Sequence, residues 1–96
     1  MTRVERDCTR FLQTSASSYS LLLSSALIES RPWASALFVG HRLKIAVQGD
    51  DDARLDEWLI ALPEIELAWA SHFVASAEVI ERSANAATIE LLVVES

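Results

Sequence analysis

Residues 33–62 read WASALFVGHRLKIAVQGDDDARLDEWLIAL, and the succession of patterns inside this stretch decides the fold class. Leu43, Ile45 and Val47 alternate with Arg42, Lys44, Ala46 and Gln48, the period of a strand with one apolar face. After Gly49 come Asp50, Asp51 and Asp52, and then Leu55, Trp58, Leu59 and Leu62 fall on one face of a helix opposite Asp56 and Glu57. Carboxylates at a helix start accept the orphan N–H bonds of its first turn and meet the positive end of its dipole. Pro63 cannot continue the helix. The stretch therefore predicts a strand, a cap and a helix from Asp52 to Leu62. Gly40 leaves two versions of the strand open. It is either a bulge in one long strand that pairs with residues 21–28, or a tight hairpin turn with His41 as its second loop residue.

On the N-terminal side, Leu21 to Ile28 is a short apolar run, read as a strand paired antiparallel with its successor in the chain. Glu29, Ser30, Arg31 and Pro32 form the expected turn, because a proline pushes its predecessor out of helical geometry. Val4, Cys8, Phe11 and Leu12 make one apolar stripe on a helix too short to be stable alone. The serine-rich TSASSYS behind it favours a loosely attached arm, so residues 1–17 are an N-terminal helix or a flexible arm. On the C-terminal side, Ile65, Leu67 and Trp69 suit a short edge strand or an extended connection. Residues 73–80 and Thr88 to Glu95 suit two strands, with Ser83, Ala84, Asn85 and Ala86 as the loop between them.

These elements assemble into an α+β fold. One domain, residues 18–96, is an antiparallel sheet of about four strands in the order (α)ββαββ, with the Asp52 to Leu62 helix on one face. One helix covers one face only. The other face is expected to be closed by a second copy or by the N-terminal segment, and the candidate interaction surface is Trp33, Leu37, Val39, Trp69, Leu92 and Val94.

Composition narrows the function classes. With 96 residues, 51% of them apolar and only two glycines and two prolines, the chain suits a single globular core. Cys8 is the only cysteine, which excludes an intrachain disulfide and a CxxC pair and fits a reducing cytoplasm. No apolar run approaches the roughly 20 residues of a membrane helix. Arg3, Arg6 and Arg10 precede the Leu21 to Ile28 run as in a secretory leader, but Glu5, Asp7 and the serines break that pattern, so no leader is expected. The net charge of −6 is uneven: residues 1–48 hold six basic and three acidic side chains, residues 49–96 two and eleven. This asymmetry implies complementarity within or between chains, and it disfavours nucleic acid as a partner.

His41, His72 and Asp50, Asp51 and Asp52 are the only residues whose types could together bind a metal or move a proton. Their spacing matches no ligand pattern, and the plainer expectation is that the aspartates cap a helix, His41 sits at a bend and His72 opens a strand. The serines lack a GxSxG or SxxK context, Cys8 lies on an apolar stripe, and two glycines cannot make a P-loop or a GxGxxG. No cofactor is expected.

The segments RPWASALFVGHRLKIAVQGD, LPE, HFVASAEVIER and IELLVVE, spread over residues 31–95 or about two thirds of the chain, resemble a family of small bacterial proteins of unknown function. These share an RPWASA-type segment, an HRL strand and a glycine-histidine strand start, in whose place this chain has SHFVAS. The resemblance implies an α+β fold and carries over no functional residue. The expected function is that of a non-catalytic module that docks on itself or on another protein. The alternative is a small-molecule or metal-binding module, or a minor enzyme, using His41, His72 and Asp50 to Asp52.

Overall fold

The computed structural model describes residues 2–69 and 71–96. In chain order the elements are α1 (Arg3–Ser17), β1 (Leu23–Ala34), β2 (Val39–Gly49), α2 (Asp52–Ala61), a 3₁₀ turn (Leu62–Glu64), β3 (Ala68–Trp69), β4 (His72–Ser83) and β5 (Ala86–Glu95). The class is α+β. The sheet has five antiparallel strands in the order β1-β2-β5-β4-β3, one more than expected because the two residues of β3 add an edge.

The strand–cap–helix reading of residues 41–62 holds. Leu43, Ile45 and Val47 point into the core, and α2 carries Leu55, Trp58 and Leu59 onto them. Asp51 is the N-cap, accepting the Arg54 backbone N–H at 3.0 Å. The first segment is a packed helix rather than an arm. Thr2 and Glu5 form a reciprocal capping box, and Cys8, Leu12 and Ala16 are buried in the same core as α2. The Trp58 indole N–H donates to Ser15 Oγ at 3.0 Å and ties the two helices together. Both helices thus lie on one face of the sheet, and α1 leaves the other face uncovered.

Two expectations about punctuation are corrected. Glu29 to Pro32 is not a turn but the middle of β1, and the chain reverses at residues 35–38, where the Ser35 N–H donates to the Phe38 carbonyl and the Phe38 N–H to Ser35 Oγ. Because Ser35 and Phe38 are a hydrogen-bonded pair, alternation along the ladder places Pro32 at a non-hydrogen-bonded position opposite His41. Its missing N–H would have faced solvent, where a proline on an edge strand loses nothing.

Gly40 is neither the bend nor the hairpin loop. It lies inside β2, paired with Trp33 and Val94, and the irregularity in β1 falls at Ile28. Its φ is not positive. The reason for glycine is space: a Cβ would run into the Val93 carbonyl oxygen. His41 consequently sits in a regular strand rather than at a bend.

Candidate functional site

The helix-free face is ordered into cross-strand rows by the strand registers. Trp33, Gly40, Val94, Phe73 and Ala68 form the first, running from β1 to β3. Next come Arg31, Arg42, Leu92 and Ser76, then Glu29, Lys44, Glu90 and Glu78. Beyond these lie Ala26, Ala46, Thr88 and Glu81, and then Ser24, Gln48, Ala86 and Ser83. One end is aromatic and apolar, the middle is charged, and the far end is small and polar. The small side chains leave a shallow depression of about 520 Å³ over Ala26, Ala46 and Thr88.

Charge is also sorted across the strands. On β1 and β2 this face carries Arg31, Arg42 and Lys44 against Glu29; on β5 and β4 it carries Glu90, Glu78 and Glu81. Two of the directly opposed pairs are of like sign, Arg31 with Arg42 and Glu78 with Glu90. Such pairs are unfavourable. The Arg42 guanidinium relieves part of this by reaching Glu90 in the next row at 3.5 Å, and Arg31 bonds Glu29 at 2.7 Å.

The proposed interaction residues divide. Trp33, Leu92 and Val94 belong to this face. Val94 is only 3% exposed yet stands outside the main core cluster, as a residue on the opposite side of the sheet should. Leu37 lies at the tip of the β1–β2 turn, 85% exposed, with Val39 half exposed beside it. Trp69 is on the helix side, stacked on Phe11 at 4.9 Å between ring centres and on His72 at 5.9 Å. Aromatic stacking across to α1 outweighed the expectation of an exposed patch there.

The histidines and aspartates do not meet. The aspartates lie at one end of β2, and His41 lies at the other, eight strand residues or roughly 27 Å before Gly49. Each aspartate has a structural partner. Asp50 accepts the Leu22 N–H at 3.0 Å, Asp51 caps α2, and Asp52 accepts the Asn85 N–H at 2.8 Å and the Arg82 guanidinium at 3.0 Å. His72 is buried with its Nδ1 2.8 Å from Ser71 Oγ, and His41 Nδ1 is buried without a hydrogen-bond partner. Among the described residues no group of three His, Cys, Asp or Glu could hold a metal ion. Burial pushes the Cys8 thiol up to about 12, far from a reactive thiolate.

The two carboxylates whose acidity is altered both support folding. The Asn85 backbone N–H, and after it Arg82, hold Asp52 below its ordinary value. The Thr2 backbone N–H does the same for Glu5. A carboxylate lowered by folding contributes stability in full above its unfolded pKa of about 4. That contribution is lost as pH falls through the lowered folded value. The melting temperature is therefore expected to hold from neutral pH down to about pH 5 and to fall below the carboxylate range near pH 4. Asp52→Ala should make that acid-side fall shallower; a fall of unchanged steepness in a pH series of thermal melts would remove Asp52 from the account.

Sequence reasoning missed Arg31, Phe73, Glu78 and Glu90 as members of a common face. Alternation marks which side of its own strand a residue takes, but not which residue of another strand stands beside it. Among the described residues no helix is long and apolar enough to cross a membrane. No family model, curated protein or solved structure matches the chain.

Proposed function

We propose that this chain acts by association rather than by catalysis, presenting the helix-free face of its sheet to another protein surface. The observation that carries the reading is the arrangement of that face. It offers the part-exposed Trp33, Phe73 and Leu92 around the buried Val94 at one end, a band of sorted charges in the middle and a floor of small side chains beyond, across the four long strands. Part-exposed aromatic and aliphatic side chains beside a band of charge on a small domain are a common mark of protein contact.

A photo-cross-linking residue in place of Gln48, which is exposed on this face, tests the reading. The same residue in place of Glu57, exposed on the helix layer, serves as the control. Irradiation of cells making the protein is expected to give a protein adduct from position 48 and none from position 57. Uncross-linked chain from both positions would sink the proposal.

A further inference from the structure

We infer that the partner of this face is a second copy of the same chain, packed face to face about a two-fold axis that runs parallel to the strands between β2 and β5. The inference rests on the association reading above and adds to it the occupant and the orientation. Its warrant is self-complementarity of charge.

Two sheets packed face to face about an in-plane two-fold have two simple choices of axis. An axis perpendicular to the strands lays each strand on its own copy. With the axis through the charged row, Glu29, Lys44, Glu90 and Glu78 would then each face themselves, so every contact in the row would be of like sign. An axis parallel to the strands keeps each row in place and exchanges β1 with β4 and β2 with β5. The β1–β2 half of one copy, where Arg31, Arg42 and Lys44 outweigh Glu29, then covers the wholly acidic Glu90, Glu78 and Glu81 of the other, at both halves of the interface. In the charged row Lys44 faces Glu90, while Glu29, paired with Arg31 at 2.7 Å in its own chain, faces Glu78. The repelling Arg31–Arg42 pair lies one row, or about 7 Å, from the repelling Glu78–Glu90 pair of the other copy. Twist sets packed sheets about 30° apart, a rotation that long side chains on neighbouring rows can bridge. Like-charge pairs that are unfavourable within one chain thus become complementary between two.

The remaining rows fit the same axis. Trp33 meets Phe73 at one end, above Gly40 and Val94 that are already buried within each chain, Ala46 meets Thr88, and Ser24 meets Ser83. Bulk faces bulk at the aromatic end, and at the other Ala26 stands opposite the longer Glu81 and Ala86 opposite Gln48. Four strands wide and five rows long, the face is about 19 by 30 Å, so two copies cover roughly 1,100 Å². That just clears the about 1,000 Å² of a specific interface, which points to micromolar rather than nanomolar association.

The sheet edges are poorer competitors. β1 is interrupted by a bulge at Ile28 and by Pro32, and β4 by bulges at Ala75 and Ile80, devices that blunt edge-to-edge pairing.

Charge reversal tests the axis. The full chain is expected to sediment as a dimer at tens of micromolar. Arg31→Glu with Arg42→Glu makes both halves of the face net acidic, with Lys44 the one remaining cation, and Glu78→Arg with Glu90→Arg makes both halves net basic, with Glu29 and Glu81 the remaining anions. Each double variant alone should self-associate at least tenfold more weakly. An equimolar mixture of the two should recover a dimer containing one chain of each, separable by charge. Ala46→Arg, on β2 one row beyond the charged row, should also abolish the dimer while leaving the far-ultraviolet dichroism unchanged.

A monomeric wild type, or double variants that dimerise as well as the wild type, would overturn the inference. The Gln48 adduct then tells the two failures apart. An adduct with a different protein overturns the dimer and leaves the association reading standing, whereas no adduct at all removes both.

Discussion

Trp58→Ala is expected to lower the unfolding free energy by about 3–5 kcal/mol, the range for removing a large aromatic from a closed core. Trp58 is the largest side chain with no solvent exposure, and it stands where α1, α2 and the sheet meet. Two losses combine in the truncation. The ring leaves a void in the core it shares with Leu12, Leu43 and Leu55, and the interior is too densely packed to close it fully. The indole N–H that joins α2 to Ser15 on α1 disappears as well. Trp58→Phe separates the two, since it keeps most of the ring volume and removes only the donor. Ser15 is half-buried and can turn its hydroxyl to water, so this variant should lose about 1–2 kcal/mol. Urea denaturation followed by dichroism measures both. A small domain has about 5–15 kcal/mol in total, so the alanine variant should sit near the edge of folding. A loss under about 1 kcal/mol would mean that the helices are not closed over the sheet.

The same residue shows what was legible in the chain. Trp58 with Leu55, Leu59 and Leu62 marks a helix stripe by spacing alone, and the aspartates before it mark the start, because both signals are local. Leu43, Ile45 and Val47 mark the core side of β2 for the same reason. Pro32 misled because its effect depends on which way its nitrogen faces. The turn it suggests in isolation becomes an edge-strand residue once β2 lies on its other side. Ser24 and Ser25 interrupt an apolar run in sequence, yet in β1 they alternate between the bare face and the helix face. The candidate face was the least legible part. Arg31 and Arg42 are eleven positions apart, and Glu78 and Glu90 are twelve apart. Only the hairpin registers bring each pair to one level of the sheet.

Gly40→Ala is expected to lower stability by about 2–4 kcal/mol, with a fall of roughly 8 °C or more in melting temperature for a domain of this size. Glycine to alanine in extended backbone ordinarily stabilises by about 0.4–1 kcal/mol, because it reduces the freedom of the unfolded chain. At Gly40 the sign should reverse. The new methyl meets backbone on the adjacent strand, the Val93 carbonyl oxygen first, with the Val93 carbonyl carbon and the Val94 Cα each 3.0 Å away. Backbone inside a ladder cannot rotate aside as a side chain can, so β2 and β5 would have to separate at their pairing. Gly49 supplies the contrast. A methyl there meets the Leu21 Cδ1 at 2.8 Å, the far end of a flexible side chain, and Gly49→Ala should change stability by only about 1 kcal/mol or less. Thermal melts of the two variants side by side decide the matter, and equal melting temperatures would contradict the close approach of β5 to Gly40. The effect should also reach the bare face. Gly40 is the gap in the row between Trp33 and Val94, so a displaced β2 shifts the aromatic end against the charged rows. Association through that face should weaken even at temperatures where the variant remains folded.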